Sequence, residues 1–221
     1  LENREIIITQ DGSTSIFLPD WNESYHSKHG AIQEAYHVFI NSGLALFQDK
    51  PVAILEIGFG TGLNAFITFL ESQKSKQQID YVGVEAYPVA ANEVLKMNYV
   101  QELKAENYRN EFEKMHQDSW GQMHEITANF SLTKRKQLFE EINDESVFDL
   151  IYFDAFGFRV QPELWSFEMF QQMYKALKTG GVLVTYACRS SIKKAMLDSG
   201  FIVEKLPGAP GKREMLRATK L

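Results

Sequence analysis

A single cysteine, Cys188, stands in a chain of 221 residues, which excludes an internal disulfide and any zinc cluster built on cysteine ligands. Long hydrophobic runs are missing as well. No apolar stretch approaches the roughly 20 residues of a membrane-spanning helix. The first residues, LENREIIITQDG, lack the basic start and apolar core of a signal peptide. Positive charge is in deficit, with a formal net charge of −6, which argues against a surface built mainly to hold nucleic acid. His26, His29 and His37 fall close together, but their spacing matches no strong metal motif, so no metal is expected. There is no G-x-S-x-G nucleophile motif, internal repeat, linker or low-complexity tract. What remains is 44% hydrophobic and 24% charged, the make-up of an ordinary globular protein able to bury a substantial core. A reducing cytoplasm is the expected location.

Strands and helices alternate along the chain. Glu5–Thr9 and Thr14–Leu18 flank Asp11-Gly12, a hairpin turn signal. Residues 31–47 carry apolar side chains at helical spacing. VAILEIGF reads as a buried strand, LNAFITFLESQKS as the helix after it, and IDYVGVEAY as a second strand. A helix is expected from Pro88 to about Leu103, and a polar, helical stretch from Ala105 to Ile126. NFSLTK, VFDLIYFDAF, VLVTYAC and FIVEKL supply further strands, with SFEMFQQMYKALKTGG and RSSIKKAMLDSG as helices ended by glycine. Such alternation predicts a mostly parallel sheet covered on both faces. The expected organisation is an N-terminal hairpin and helical lead-in over 1–48, joined to an α/β unit over 49–221.

Directly behind the first buried strand, Gly58, Gly60 and Gly62 alternate. Glycine there costs chain entropy, and a glycine turn feeding a helix at the carboxyl end of a parallel strand is a ligand site. Two cofactors suit it. GTGLNA, Gly60 to Ala65, matches the G-x-G-x-x-G/A dinucleotide pattern, with Glu85 following at the expected distance. In the other register, Glu56, Gly58, Gly60 and Gly62 match the E-x-G-x-G-x-G loop of S-adenosylmethionine enzymes, and Glu85 closes the second strand. Backbone N–H groups then meet the methionine carboxylate, Glu56 offers charge to the cationic end, and Glu85 accepts the ribose hydroxyls. Asn64 is expected nearby.

Asp154 ends the strand VFDLIYFD, beside the switch point of such a sheet. Around it the chain becomes recognisable. LEIGFGTGLN, DAFGFRVQPELW and GAPGKREML, preceded by YHSKHGAIQEAYHVF, resemble the methyltransferase domain of the MnmC family from about Tyr25 to Met215. That resemblance implies a Rossmann-like class I fold, a mostly parallel seven-stranded sheet whose last strand, near REMLRATK, runs antiparallel. It implies methyl transfer from S-adenosylmethionine to the amine of a 5-aminomethyl(-2-thio)uridine at the tRNA wobble position. Asp154 is the expected catalytic residue, with Tyr25, Glu34, Phe156 and Trp165 toward the substrate.

The family's DGFAP or DAFAP segment is altered, with Gly157 and Phe158 in place of Ala and Pro. After the third strand Gln137 replaces the acid that commonly flanks the adenine, and Asp118 is the other candidate. Because the sequence stops at Leu221, without the family's FAD-dependent oxidoreductase domain, a stand-alone form is expected. A separate oxidoreductase, or other upstream modification enzymes, then supplies the amine. Basic clusters at Lys134-Arg135-Lys136, Lys193-Lys194 and Lys212-Arg213 become a tRNA footprint only if they converge near Asp154. The alternatives are an NAD-dependent oxidoreductase, a methyltransferase acting on another amine, or a non-catalytic binding protein.

Overall fold

Why the central strands read as unbroken apolar runs is evident from a computed structural model that describes residues 3–221. A sheet covered on both faces leaves no room for a polar side. In Tyr152 the ring enters the core on one face, with Phe39, Phe66 and Tyr81, while its neighbours Ile151 and Phe153 enter the opposite core with Ile57, Trp165 and Phe170.

The chain begins with β1 (Glu5–Ile8), β2 (Thr14–Leu18) and β3 (Glu23–Ser24), an antiparallel sheet of three strands turning at Asp11-Gly12. Next comes α1 (Ala31–Ala35), which continues through a π-helical turn at Tyr36–Asn41. Then follow β4 (Val52–Ile57), α2 (Leu63–Ser75), β5 (Ile79–Glu85), α3 (Ala91–Val94), α4 (Tyr99–Glu102) and α5 (Arg109–Gln117). The second half comprises β6 (Met123–Thr127), β7 (Phe130–Lys136), β8 (Phe148–Phe153), α6 (Phe167–Ala176), β9 (Leu177–Thr185), α7 (Ser190–Asp198), β10 (Ile202–Pro207) and β11 (Glu214–Thr219).

The main sheet runs β10-β11-β9-β8-β4-β5-β7-β6, with parallel pairing from β9 through β7 and β11 antiparallel to both its neighbours. It has eight strands rather than the expected seven. The addition is β6, which lies in the stretch expected to be helical. After α5 the chain turns at Gly121, φ +81°, and Met123–Thr127 pairs antiparallel with β7. The helix expected from Pro88 is also broken. Asn98 separates α3 from α4 because its side chain accepts the Thr14 backbone N–H at 2.8 Å, tying this segment to β2. Likewise α6 stops at Ala176, and the residues up to Gly181 join β9 instead of ending the helix.

The N-terminal strands are part of the same body, since Ile16 and Leu18 share one core with Phe39 and Phe66. Among the described residues no helix is long and apolar enough to cross a membrane. The order of pairing reverses at β4, which lies between β5 and β8. Ligands of open α/β sheets bind outside the carboxyl ends of strands at such a switch point. The glycine loop leaves β4 there, and Asp154 leaves β8 beside it, its N–H donating to Ile57 O at 2.9 Å.

Candidate active site

The three glycines take left-handed backbone, each for a different neighbour. Gly58 has φ +90°, and a Cβ there would stand 2.7 Å from Asp154 O, so the loop and the end of β8 touch main chain to main chain. Gly60 has φ +51° and lies beneath the Tyr25 ring, while its N–H donates to Glu85 Oε2 at 3.0 Å. Gly62 starts α2 at φ +75°, where a Cβ would meet His116 Nε2 at 2.8 Å. The other Glu85 oxygen accepts the Tyr87 N–H at 2.9 Å. Glu85 is thus held at the end of β5 by backbone on both sides.

Beneath the loop two acids share one amide. Asn64, in the first turn of α2, donates Nδ2 to Glu56 Oε1 at 2.9 Å and to Asp154 Oδ2 at 2.8 Å. Tyr81 donates its hydroxyl to Glu56 Oε2 at 2.8 Å. Burial pushes the Glu56 carboxyl well above the usual range and Asp154 adds to this, against the hydrogen bonds from Tyr81 and Asn64. Burial also pushes Asp154 up, to about 7, helped by the negative charge of Glu34 and opposed by the Asn64 hydrogen bond and by Lys212.

A cavity of about 550 Å³ opens in front of this pair, within the range of sites for small ligands. Its wall includes Gly58, Gly60, Asn64, Glu85 and Asp154 from the sheet edge. Trp21, Tyr25 and Glu34 come from the N-terminal lead-in, and Phe156, Tyr186 and Lys212 from the second half. Phe156 meets the edges of Trp21 and Tyr25, at centroid distances of 5.5 and 5.0 Å. Burial raises the Tyr25 and Tyr186 hydroxyls above their usual range, so both rings are neutral. Tyr186 donates to Ala155 O at 2.7 Å.

The structure therefore brings together Tyr25, Glu34, Gly58, Gly60, Asn64, Glu85, Asp154 and Phe156. Three residues expected at the site stand behind it. Glu56 is wholly buried under α2 and reaches the cavity only through Asn64, so it cannot present its charge to a ligand's cationic end. Gly62 serves helix packing. Trp165 is buried against Phe153 and Phe170, and its Nε1–H donates to Phe156 O at 2.8 Å, fixing Phe156 from behind. Neither Gln137 nor Asp118 lines the cavity; beyond β7 that wall is Leu138, Phe139 and Glu140.

Of the basic clusters, Lys134 is buried and donates to His116 O, Arg135 pairs with Asp144, and Lys194 pairs with Asp198. Only Lys212 comes to the cavity. Lys212, Tyr186 and Trp21 are wall residues that sequence reasoning did not place there. The signals for Lys212 were its position inside GAPGKREML and its membership of the basic pair Lys212-Arg213.

The wall suits S-adenosylmethionine in its donor set. A glycine backbone with no side chain over the cavity, a carboxylate at the end of β5 and the apolar Phe59, Leu138 and Phe139 all line one space. Asn64 Oδ1 is buried with no partner among the described residues. It is an acceptor available to a donor such as an ammonium group. Glu85 stands at the cavity wall with its two oxygens accepting the Gly60 and Tyr87 N–H groups.

Comparison with known proteins agrees. A curated tRNA 5-methylaminomethyl-2-thiouridine biosynthesis bifunctional protein MnmC from Polaromonas naphthalenivorans is 26% identical, over 94% of this chain and 34% of the relative. The protein of the same name from Leptospira borgpetersenii is 29% identical, over 89% of this chain and 32% of the relative. The chain thus spans about a third of the length of these relatives. Among solved structures, MNMC2 from Aquifex aeolicus superposes with a TM-score of 0.77 at 22% identity, covering 99% of this chain and 71% of that one, a likeness of fold. Residues 96–221 match the model of an S-adenosyl-L-methionine-dependent methyltransferase family. With the family established, the dinucleotide reading of the glycine loop falls away: this chain belongs to the S-adenosyl-L-methionine-dependent methyltransferases.

Proposed function

We propose that the chain methylates the primary amine of 5-aminomethyl(-2-thio)uridine at the tRNA wobble position. The observation that carries the reading is Asp154, a half-buried carboxylate fixed by Asn64 and facing a cavity walled by the rings of Tyr25, Phe156 and Tyr186. Those rings suit a planar base bearing a short amine, and acceptor and aromatic wall lie in one space. The names of the MnmC relatives point to the same nucleoside.

Bound S-adenosylmethionine supplies a methyl group on a cationic sulfur, open to in-line attack by a nitrogen lone pair. The protein's task is then to hold the amine in line and neutral, since an ammonium has no lone pair. Asp154 accepts a hydrogen bond from the amine and orients it. With its proton affinity raised to about 7, it is also matched to receive the proton the amine gives up. Asn64 keeps the carboxylate in place, and Glu56 keeps Asn64 in place. Gly58, Gly60 and Glu85 hold the cofactor, and the lead-in over 1–48 works as the facing wall through Tyr25 and Glu34. The substrate amine is supplied upstream, by an FAD-dependent oxidoreductase that removes a carboxymethyl group or by a route installing the aminomethyl group directly.

Mass analysis of wobble uridines from a strain lacking the gene tests this. Unmethylated aminomethyluridine should accumulate and vanish on complementation. An unchanged nucleoside profile overturns the assignment.

A further inference from the structure

The loop between β10 and β11 carries one cation into the cavity from the far end of the chain. Lys212 Nζ is ion-paired with Glu34 Oε2 and lies 3.9 Å from the centroid of the Tyr186 ring. The second Glu34 oxygen accepts the Ser27 N–H at 3.1 Å, and the side chain is almost wholly buried. The loop is built to hold that ammonium still. The Lys212 N–H donates to Ala209 O at 2.8 Å, Ala209 is itself buried, and His37 Nε2–H donates to Pro207 O at 2.8 Å.

Asp154 is surrounded mainly by negative or neutral groups. Glu56 on β4 and Tyr81 on β5 lie behind it through the Asn64 network, Glu34 faces it from α1, and Tyr186 from the end of β9. Glu23 pairs with Arg159, and Glu85 accepts one backbone N–H on each oxygen. Lys212 shares the cavity wall with Asp154 and opposes the rise in its pKa, while Lys28 and Arg159 also line that cavity. Were Glu34 unpaired, a cationic amine entering the cavity would meet two carboxylates, and the wrong one would hold it charged and off line.

We propose that Lys212 is a positioning residue for methyl transfer: paired with Glu34 against the Tyr186 ring, it leaves Asp154 as the carboxylate free to take the substrate amine. This rests on the reading that an amine is methylated beside Asp154. Lys212 touches neither reacting atom and acts through Glu34 and Asp154.

The test is titration of the Asp154 side-chain ¹³Cγ resonance in the whole chain, assigned by its loss in Asp154→Asn, beside the pH profile of methyl transfer to aminomethyl-tRNA. Lys212→Met should move the midpoint up by about one pH unit, and Glu34→Gln should move it down, as expected for loss of a nearby charge of either sign. Lys212→Arg should restore it to near the wild-type value. The acid limb of kcat/KM should follow the same order. A midpoint unmoved in a Lys212→Met protein that melts normally overturns the proposal. If that variant does not fold, Glu34→Gln decides, and an unmoved midpoint there is equally fatal. Wild-type protein inactive on aminomethyl-tRNA would instead strike at the functional reading, whereas unmoved midpoints in an active enzyme strike at Lys212.

Discussion

Asn64 Nδ2 lies 2.8 Å from Asp154 Oδ2 while its amide also holds Glu56 Oε1 at 2.9 Å. One side chain thereby sets the direction of the acid facing the cavity and satisfies the acid beneath it. Asn64→Leu should cut single-turnover methyl transfer at least about 10-fold, because Asp154 loses its fixed orientation. It should also destabilise the protein by about 1–3 kcal/mol, the usual cost of leaving a buried polar group unpaired. Thermal melting and rapid-quench kinetics read the two effects, and a wild-type rate would remove Asn64 from the positioning scheme.

Asp154 gives a pH dependence of both rate and stability. Its folded carboxyl holds a proton up to about pH 7, whereas an unfolded aspartate releases it near its ordinary value of about 4. Between those values the native state binds more protons, so stability falls as pH rises through that window. Asp154→Asn should therefore be more stable than wild type at pH 8, by on the order of 4 kcal/mol for a pKa raised by about three units, with the difference fading toward pH 4. Its turnover, like that of Asp154→Ala, should be lower by at least about 100-fold. Denaturant melts across pH, compared with wild type, check the sign; a variant that is less stable at pH 8 than at pH 4 relative to wild type contradicts the argument.

Glu85 is the acceptor expected for the ribose hydroxyls, anchored by the N–H groups of Gly60 and Tyr87. Glu85→Ala should weaken S-adenosylhomocysteine binding by roughly 10- to 100-fold, the range for hydrogen bonds to a charged group. Calorimetry on wild type and variant measures it, with NADH as the control ligand. Equal affinities would place the ribose elsewhere.

Gly58 is the tightest point of the loop. A methyl group there would press on Asp154 O at 2.7 Å, and the backbone at φ +90° disfavours any side chain. Gly58→Ala should lower stability by about 2 kcal/mol or more through strain and steric displacement. It should also weaken cofactor binding, because loop and β8 end would part. Gly180→Ala is the comparison: that residue also has positive φ, but its added Cβ meets nothing within 4 Å. Equal losses in both would mean that backbone strain alone, and not the close approach to Asp154, is at work.

Much of the site was legible in the sequence because it is local. Alternate glycines behind an apolar run mark positive φ and close approach without knowledge of the rest of the chain, and an acid at a strand's carboxyl end sits at the rim of any parallel sheet. The resemblance to the MnmC methyltransferase domain added the reaction expected at Asp154 and drew attention to Tyr25 and Glu34. Local pattern is weakest where the chain lacks apolar periodicity: the sequence predicts helix through Ile126, over most of the edge strand β6, whose identity comes from pairing with β7.

What only the tertiary structure decided was which charges face the cavity. Glu56 and Glu85 both end buried strands, yet α2 packs over the first and leaves the second at the wall. Trp165 and Phe156 are nine residues apart, and only packing against Phe153 and Phe170 turned one inward and left the other at the site. Lys212 and Glu34, 178 residues apart, meet because β11 returns antiparallel beside β9 and its preceding loop falls across α1. Backbone propensity is written in neighbouring residues, whereas burial and charge pairing belong to contacts between distant ones.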